Sequence, residues 1–292
     1  MGDAINLEPL SVDHLDDAVR LSRDAGWPHT LAEWLFAFDL GRGFAAINNG
    51  QVVGTMLWWP LSREHATLGL ALVDVKHQRR GFGQQLIDAV LQETGTRRVA
   101  LNATAAGMRL YERNGFQTVG AIHQHQGHPT SLAGRLAKQS AERIQFPVPL
   151  EAILELDQIT TSQDRRELIR ALHTSGETIG IRRGDSIVGY SICRPFGLGR
   201  VVGPVAAASS ADAKLLIDFW LDKHRLEFLR VDTSLAGGLS PWLDDAGLIQ
   251  VGTAATMELG SADQLGQSNT SLSLPLHVSL HSRAKPLANR IE

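Results

Sequence analysis

A single cysteine, Cys193, in 292 residues leaves no partner for an internal disulfide, so nothing in the chain asks for an oxidising compartment. Charge of one sign is missing too. The 28 basic and 31 acidic residues leave a formal net charge of -3 and a pI near 6.4, which does not call for nucleic acid as an obligate partner. No stretch is apolar enough over sufficient length to span a bilayer, and Met1-Gly2-Asp3-Ala4-Ile5 has neither the basic segment nor the apolar run of a signal peptide. A cytoplasmic protein outside the membrane is expected. Its length is comfortable for two domains.

What is present centres on Gln78-Arg79-Arg80-Gly81-Phe82-Gly83-Gln84, which follows an apolar run from Leu68 to Val75 and leads into a helical segment from Gln85 to Glu93. Strand, glycine turn and helix start together make a phosphate site, because free N–H groups and the positive helix end converge there. Gly81 and Gly83 leave room for a pyrophosphate, and Arg79 and Arg80 add positive charge. The lysine and hydroxyl of a P-loop are absent, as is the full GxGxxG spacing of a dinucleotide fold.

Around this turn the pattern predicts a strand at Ala4 to Leu10, an amphipathic helix to about Ala25 and a helix from Leu31 to Leu40. A hairpin of Phe44 to Asn48 and Val52 to Pro60 follows, turned by Asn48-Asn49-Gly50, then the strand Leu68 to Val75. Downstream lie a strand at Arg98 to Asn102, a helix at Ala106 to Asn114 and a strand from Phe116 to about Gln124. The fold class is α/β, with a mixed, mostly antiparallel sheet flanked by helices. Residues 128–148 read as a linker.

The second half repeats the first about 130 residues on. Asn49 to Gly54 is echoed by Arg183 to Gly189, Leu86-Ile87-Asp88 by Leu216-Ile217-Asp218, Arg98 to Asn102 by Phe228 to Asp232, and Tyr111 to Phe116 by Leu243 to Leu248. Four matches in one order argue for tandem duplication: domains at 1–127 and 149–260, with a C-terminal extension at 261–292 read as irregular. Opposite Arg79 to Gly83 the second copy carries Ser209 to Ala213. Both glycines and both arginines are gone, and Asp212 would repel a phosphate, so the second copy is expected to have lost the cofactor.

Gln78-x-x-Gly81-x-Gly83, with Asn102 to Thr104 and Leu110-Tyr111-Glu112-Arg113-Asn114-Gly115-Phe116 downstream, resembles the GNAT superfamily of N-acetyltransferases. Through Gly203-Pro204-Val205-Ala206 and Asp157 to Arg165 the second half is similar to the degenerate partner domain of tandem GNAT proteins. The resemblance implies acetyl-coenzyme A, its pyrophosphate on the backbone of Arg79, Arg80, Gly81, Phe82, Gly83 and Gln84 beside Gln78. Val73, Asp74 and Val75 would pair with the pantetheine arm through their backbone, and an N–H there would hold the thioester carbonyl. Thr104 stands where many members have asparagine, and Gly107 completes the implied cofactor set. The implied reaction is direct acetyl transfer to a primary amine of a small molecule or peptide, with Tyr111 protonating the departing sulfur. A non-catalytic acyl-coenzyme A sensor is the alternative.

The base is open. Asp74 is the one carboxylate on the predicted strand, and His29, Glu33, Glu64, His65, His123 and His125 are the other groups to weigh. His123 and His125 share a strand face, but nothing is spaced to complete a metal site with them, so no metal is expected. Strand alternation at Trp58-Trp59 places at least one ring at the surface or an interface. Trp27 and Trp34 read as core or as cleft lining, and Arg194, Asp232 and Trp242 as ion-paired or exposed residues that could reach a shared cleft.

Overall fold

The computed structural model describes residues 5–130, 136, 138, 140, 143–161 and 163–260. The expected C-terminal extension and part of the expected linker lie outside the described residues.

The first half runs β1 (Asn6–Pro9), α1 (Leu15–Asp24), α2 (Leu31–Leu40), β2 (Arg42–Asn48), β3 (Gln51–Pro60), β4 (His65–Val73), α3 (Phe82–Thr94), β5 (Arg98–Ala103), α4 (Met108–Arg113) and β6 (Gln117–Gly127). The second repeats that order: β7 (Ile144–Gln145), α5 (Leu150–Thr161), α6 (Arg166–Ser175), β8 (Glu177–Arg183), β9 (Ser186–Phe196), β10 (Gly199–Ala207), α7 (Ser210–Lys223), β11 (Leu229–Ser234), α8 (Ser240–Asp245) and β12 (Ile249–Leu259). The stretch read as a linker thus contributes β7, which pairs with β8. Among the described residues no helix is long and apolar enough to cross a membrane.

All twelve strands form one sheet in the order β1-β2-β3-β4-β5-β12-β6-β11-β10-β9-β8-β7. The order is symmetric about the central pair once β6 is equated with β12. Each half therefore donates its sixth strand to the other: β12 pairs with β5, and β6 pairs with β11, both antiparallel. The repeat seen in the sequence is a repeat of elements; in space the halves are interlocked.

Amphipathic patterning sets the layers. Leu86, Ile87 and Val90 of α3 pack on Val99 and Leu101 of β5, and Leu216, Ile217 and Trp220 of α7 pack on Leu229 and Val231 of β11. On the opposite face α1 and α2 cover Leu57, Leu70 and Leu72, while α5 and α6 cover Tyr190 and Ile192. This double covering overturns the expectation for Trp58-Trp59, since both rings are buried. Trp58 lies on the α3 side and donates to Glu93 at 2.9 Å; Trp59 lies on the α2 side and donates to the Ala37 carbonyl at 2.8 Å. A central strand with helices on both faces has no exposed side for alternation to reach. Trp34 is core as well, bonded to Ser22.

The halves also meet at the turn between β9 and β10. Gly197 has φ +54, and a Cβ there would lie 2.9 Å from Pro28 in the α1–α2 loop. Its N–H donates to Glu33 at 2.9 Å.

Candidate functional site

β4 and β5 run parallel and pair only from His65 with Arg98 to Leu68 with Leu101. Beyond Leu68 they part. The cause sits in β4: the register with β3 slips between Thr55 and Leu57, Leu70 takes φ +47, and the Thr55 hydroxyl holds the Leu70 carbonyl at 2.9 Å. This bulge bends β4 away from its neighbour and leaves backbone groups on its β5 side without a strand partner.

The expected strand end is two residues too long. β4 stops at Val73 because the Asp74 carboxylate accepts the Lys76 N–H at 2.8 Å and starts a short 3-10 turn, Val75–His77, leaving Val75 exposed. Of the three residues expected to line the pantetheine arm, Val73 borders the split, while the Asp74 carboxylate turns toward Arg20, 3.7 Å away on α1.

Gln78, Arg79, Arg80 and Gly81 are exposed and Phe82 is buried. The Gln78 amide donates to the Val73 carbonyl at 3.2 Å, closing the turn onto the strand end. Arg79 at φ +63 and Gly81 at φ +86 swing the chain into α3, whose N-terminus has no capping side chain and no acidic residue in its first turn. The first intrahelical bond runs from Gln85 to the Gly81 carbonyl, so the N–H groups of Phe82, Gly83 and Gln84 have no partner within the helix. A Cβ on Gly83 would lie 3.3 Å from Leu110, and Gln84 and Asn114 exchange side-chain hydrogen bonds at 2.8 and 3.2 Å. Strand end, phosphate-type turn and α4 thus share one corner. Asn114, read in the sequence only as part of a motif, ties that corner together.

At the start of α4 the Thr104 carbonyl and hydroxyl accept from Gly107 N–H at 3.0 and 3.3 Å. Gly107 makes room for Tyr111, since a Cβ there would sit 3.3 Å from the ring. Tyr111 is buried edge-on against Phe116, and burial pushes its phenol above its ordinary value.

Apart from the exposed Glu64, the groups weighed as bases are engaged elsewhere. Burial alone would raise Glu33, yet hydrogen bonds from Thr30 and the Gly197 N–H outweigh it and hold the carboxyl low. His65 lies against Ser62, and Glu64 is exposed. His29 is buried between Trp27 and Phe196. His123 Nδ1 and His125 Nε2 both reach Ser240 Oγ, at 2.9 and 3.0 Å, while His125 Nδ1 lies 3.0 Å from the Leu248 carbonyl. One arrangement satisfies all three contacts: His123 donates to Ser240, Ser240 donates to His125 Nε2, and His125 donates to Leu248. The exchanged strand is thereby tied to α8. Ser240→Ala is expected to lower stability by about 1–2 kcal/mol in urea titration, because ring nitrogens of the buried His125 and the half-buried His123 lose their partner. Among the described residues no group of His, Cys, Asp and Glu is arranged to hold a metal.

The second copy keeps the split, since β10 and β11 pair only from Arg200 with Leu229 to Val202 with Val231. Its helix start differs. The buried residues keep the offset of 130, but α7 begins two residues sooner, so Ser209 occupies the capping place of Gly81. Ser209 Oγ accepts the Asp212 N–H at 3.1 Å, and the buried Asp212 carboxylate meets Arg143 at 2.5 Å and Arg183 at 3.4 Å. The anion position at this helix is filled by the chain itself.

Two family models, both described as acetyltransferase (GNAT) domain, match residues 39–118 and 153–272. The uncharacterized N-acetyltransferase YitH of Bacillus subtilis is 29% identical over 217 residues, which is 71% of this chain and 75% of that protein. Among solved structures, a proposed acetyltransferase of Pyrococcus horikoshii superposes with a TM-score of 0.72 at 18% identity, over 88% of this chain and 89% of that one. A tandem GNAT protein from the clavulanic acid biosynthesis pathway superposes with a TM-score of 0.62 at 12% identity, over 88% and 98% of the two chains. With one such domain in each half, the chain belongs to the GNAT acetyltransferases of tandem type.

Proposed function

We propose that the first half transfers the acetyl group of acetyl-coenzyme A directly to a primary amine, and that the second half binds no donor. The contrast between the two helix starts carries this reading: three uncapped N–H groups at α3, against the Ser209 cap and the Asp212 carboxylate at α7. The pyrophosphate fits the turn from Arg79 to Gln84 with Gln78 beside it, and the pantetheine arm fits the split bordered by Val73, Thr104 and Gly107. When bound, acetyl-coenzyme A supplies an acyl group on a good sulfur leaving group.

The chain's own residues then do three things. Unpaired backbone N–H groups along the split orient the donor and draw charge toward the carbonyl oxygen. Tyr111 Oη holds the proton that the sulfur takes. Burial keeps that phenol protonated well past neutral pH, so Tyr111 acts as a donor and cannot serve as the base.

With Glu33, His65, His123 and His125 held by structural bonds, the amine loses its proton to solvent or reaches the site already neutral. The rate should then follow the acceptor. For an alkyl amine of ordinary pKa, about 10.4, kcat/KM is expected to rise about tenfold per pH unit from pH 6 to 9. No falling limb from Tyr111 is expected in that range. A plateau near pH 7 would instead reveal a protein base.

The held side chains also favour the sensor reading, in which acyl-coenzyme A binds without turnover. Calorimetry with acetyl-coenzyme A, followed by thiol release across a panel of amines, separates the two. Cys193 does not disturb that assay, because burial pushes its thiol up to about 12. Binding with repeated turnover supports the enzyme; binding without turnover supports the sensor; no binding overturns both.

A further inference from the structure

Away from the donor corner, a serine and two histidines converge where β6 meets α8. Ser240 opens α8, and its hydroxyl lies 2.9 Å from His123 Nδ1 and 3.0 Å from His125 Nε2. His125 is fully buried. Its Nδ1 lies 3.0 Å from the Leu248 carbonyl and 3.4 Å from the Asp244 carboxylate, which also accepts the Gln250 N–H at 2.9 Å. A carbonyl can only accept, so in the neutral ring Nδ1 carries the proton and Nε2 is left as the basic nitrogen facing Ser240. Nucleophile, base and orienting group thus stand in one line.

The first copy does without these polar groups. Thr233 of β11, opposite His123, corresponds to Ala103 of β5, opposite Ala255. His123 and His125 therefore stand where the other corner has Ala255 and Met257, and Ser240 stands where α4 begins with Met108. Those three side chains are apolar and pack in one cluster with Tyr111 and Phe116. Apolar packing is enough to seat the short helix on the exchanged strand. A serine and two histidines in the same place add desolvation cost that packing does not require, which marks the set as kept for its chemistry.

Ser240 is half-buried, and Ala236, Gly238 and Pro241 beside it in sequence are exposed, so it stands at the rim of the fold. Leu235, in the turn before α8, is 60% exposed and gives that rim an apolar side. The Asp244 carboxylate beside the ring disfavours an anionic substrate.

We propose that Ser240 is the nucleophile of a second site that hydrolyses small uncharged carboxylic esters, with His125 as its base. Oγ bonds to the ester carbon while its proton passes to His125 Nε2; the ester C–O bond breaks, and the departing alcohol takes that proton. Water then attacks the acyl-serine and gives a proton to Nε2, and the carboxylic acid leaves as Oγ recovers it. The Leu248 carbonyl holds the ring, the Asp244 carboxylate offsets the imidazolium charge, and the His123 N–H stabilises the oxyanion that forms next to Oγ. The bonds that keep both histidines from serving the first half are the ones this site uses. No step needs coenzyme A, so the inference stands or falls apart from the acetyltransferase reading.

The test uses the full chain without coenzyme A. With p-nitrophenyl acetate, a burst of about one nitrophenolate per chain followed by steady release is expected, with the transient acetyl group on the peptide that contains Ser240 by mass spectrometry. Diisopropyl fluorophosphate should label the same serine, and the chain unfolded in urea should not be labelled. His125→Asn should slow labelling at least a hundredfold. Asp244→Asn keeps an acceptor for the Gln250 N–H, removes the charge from an exposed position, and should slow labelling about tenfold; it decides the matter if melting curves show that His125→Asn does not fold. No adduct, an adduct on another residue, equal labelling of the unfolded chain, or an unchanged rate in a folded variant would each overturn the proposal, and a burst without steady release would overturn the hydrolytic step.

Discussion

Replacing Gly81 by valine is expected to weaken acetyl-coenzyme A binding at least a hundredfold, about 2.7 kcal/mol, with little change in the fold. Gly81 holds φ +86 at the start of α3, where a β-branched residue is strained by about 1–2 kcal/mol. A Cβ there meets no protein atom within 4 Å, so the side chain fits the free protein and stands where the phosphates would lie. If the turn relaxes instead, the Phe82, Gly83 and Gln84 N–H groups lose their common direction. Either route removes the anion site while Leu86, Ile87 and Val90 keep α3 anchored. Calorimetry measures the loss and a melting curve checks the fold. A change under fivefold would mean that the donor sits elsewhere, and would reopen the second half.

Tyr111→Phe should lower kcat by two to three orders of magnitude while the affinity for acetyl-coenzyme A stays within a factor of two. The ring fills a buried place between Gly107 and Phe116, and phenylalanine fills it equally well, so packing is preserved. Among the described residues no side chain or backbone group hydrogen-bonds the Tyr111 hydroxyl, so its removal orphans nothing in the free protein. On the proposed mechanism, what is lost is the O–H that protonates the leaving group. The effect should shrink with an acyl donor whose thiol is more acidic, because a better leaving group needs the donor less. An unchanged kcat would return Tyr111 to the core.

The local features of this chain were legible because short-range chemistry decides them. Asn49-Gly50 turns a hairpin as its positive φ values require, and the glycine turn opens α3. The duplication was legible for the same reason, since each repeat keeps its punctuation. Strand exchange was not. β6 and β12 carry the same alternation, and nothing in either segment says whether it closes its own sheet or the other half's. Trp58 and Trp59 failed for a related reason: alternation reports two faces, not how many are covered. Asp74 looked like a strand carboxylate until its side chain ended the strand. Ser240 has no local signal at all. It matters because two histidines some 115 residues away converge on it.

The exchange of β6 and β12 has a consequence for biosynthesis and for the persistence of the second copy. The sheet around the β4–β5 split is completed by Thr256 and its neighbours on β12, close to the end of the described chain, so the first half to emerge during synthesis is the last to be finished. Until β12 arrives, β5 presents an open edge, and shielding it falls to β6 or to a chaperone. Truncation after Gly127 would remove the neighbour of β5 and leave β6 without β11 and β12. On the reading proposed above, the second copy serves the first as scaffolding, its β12 supplying the neighbour that β5 lacks and its β11 the neighbour that β6 lacks.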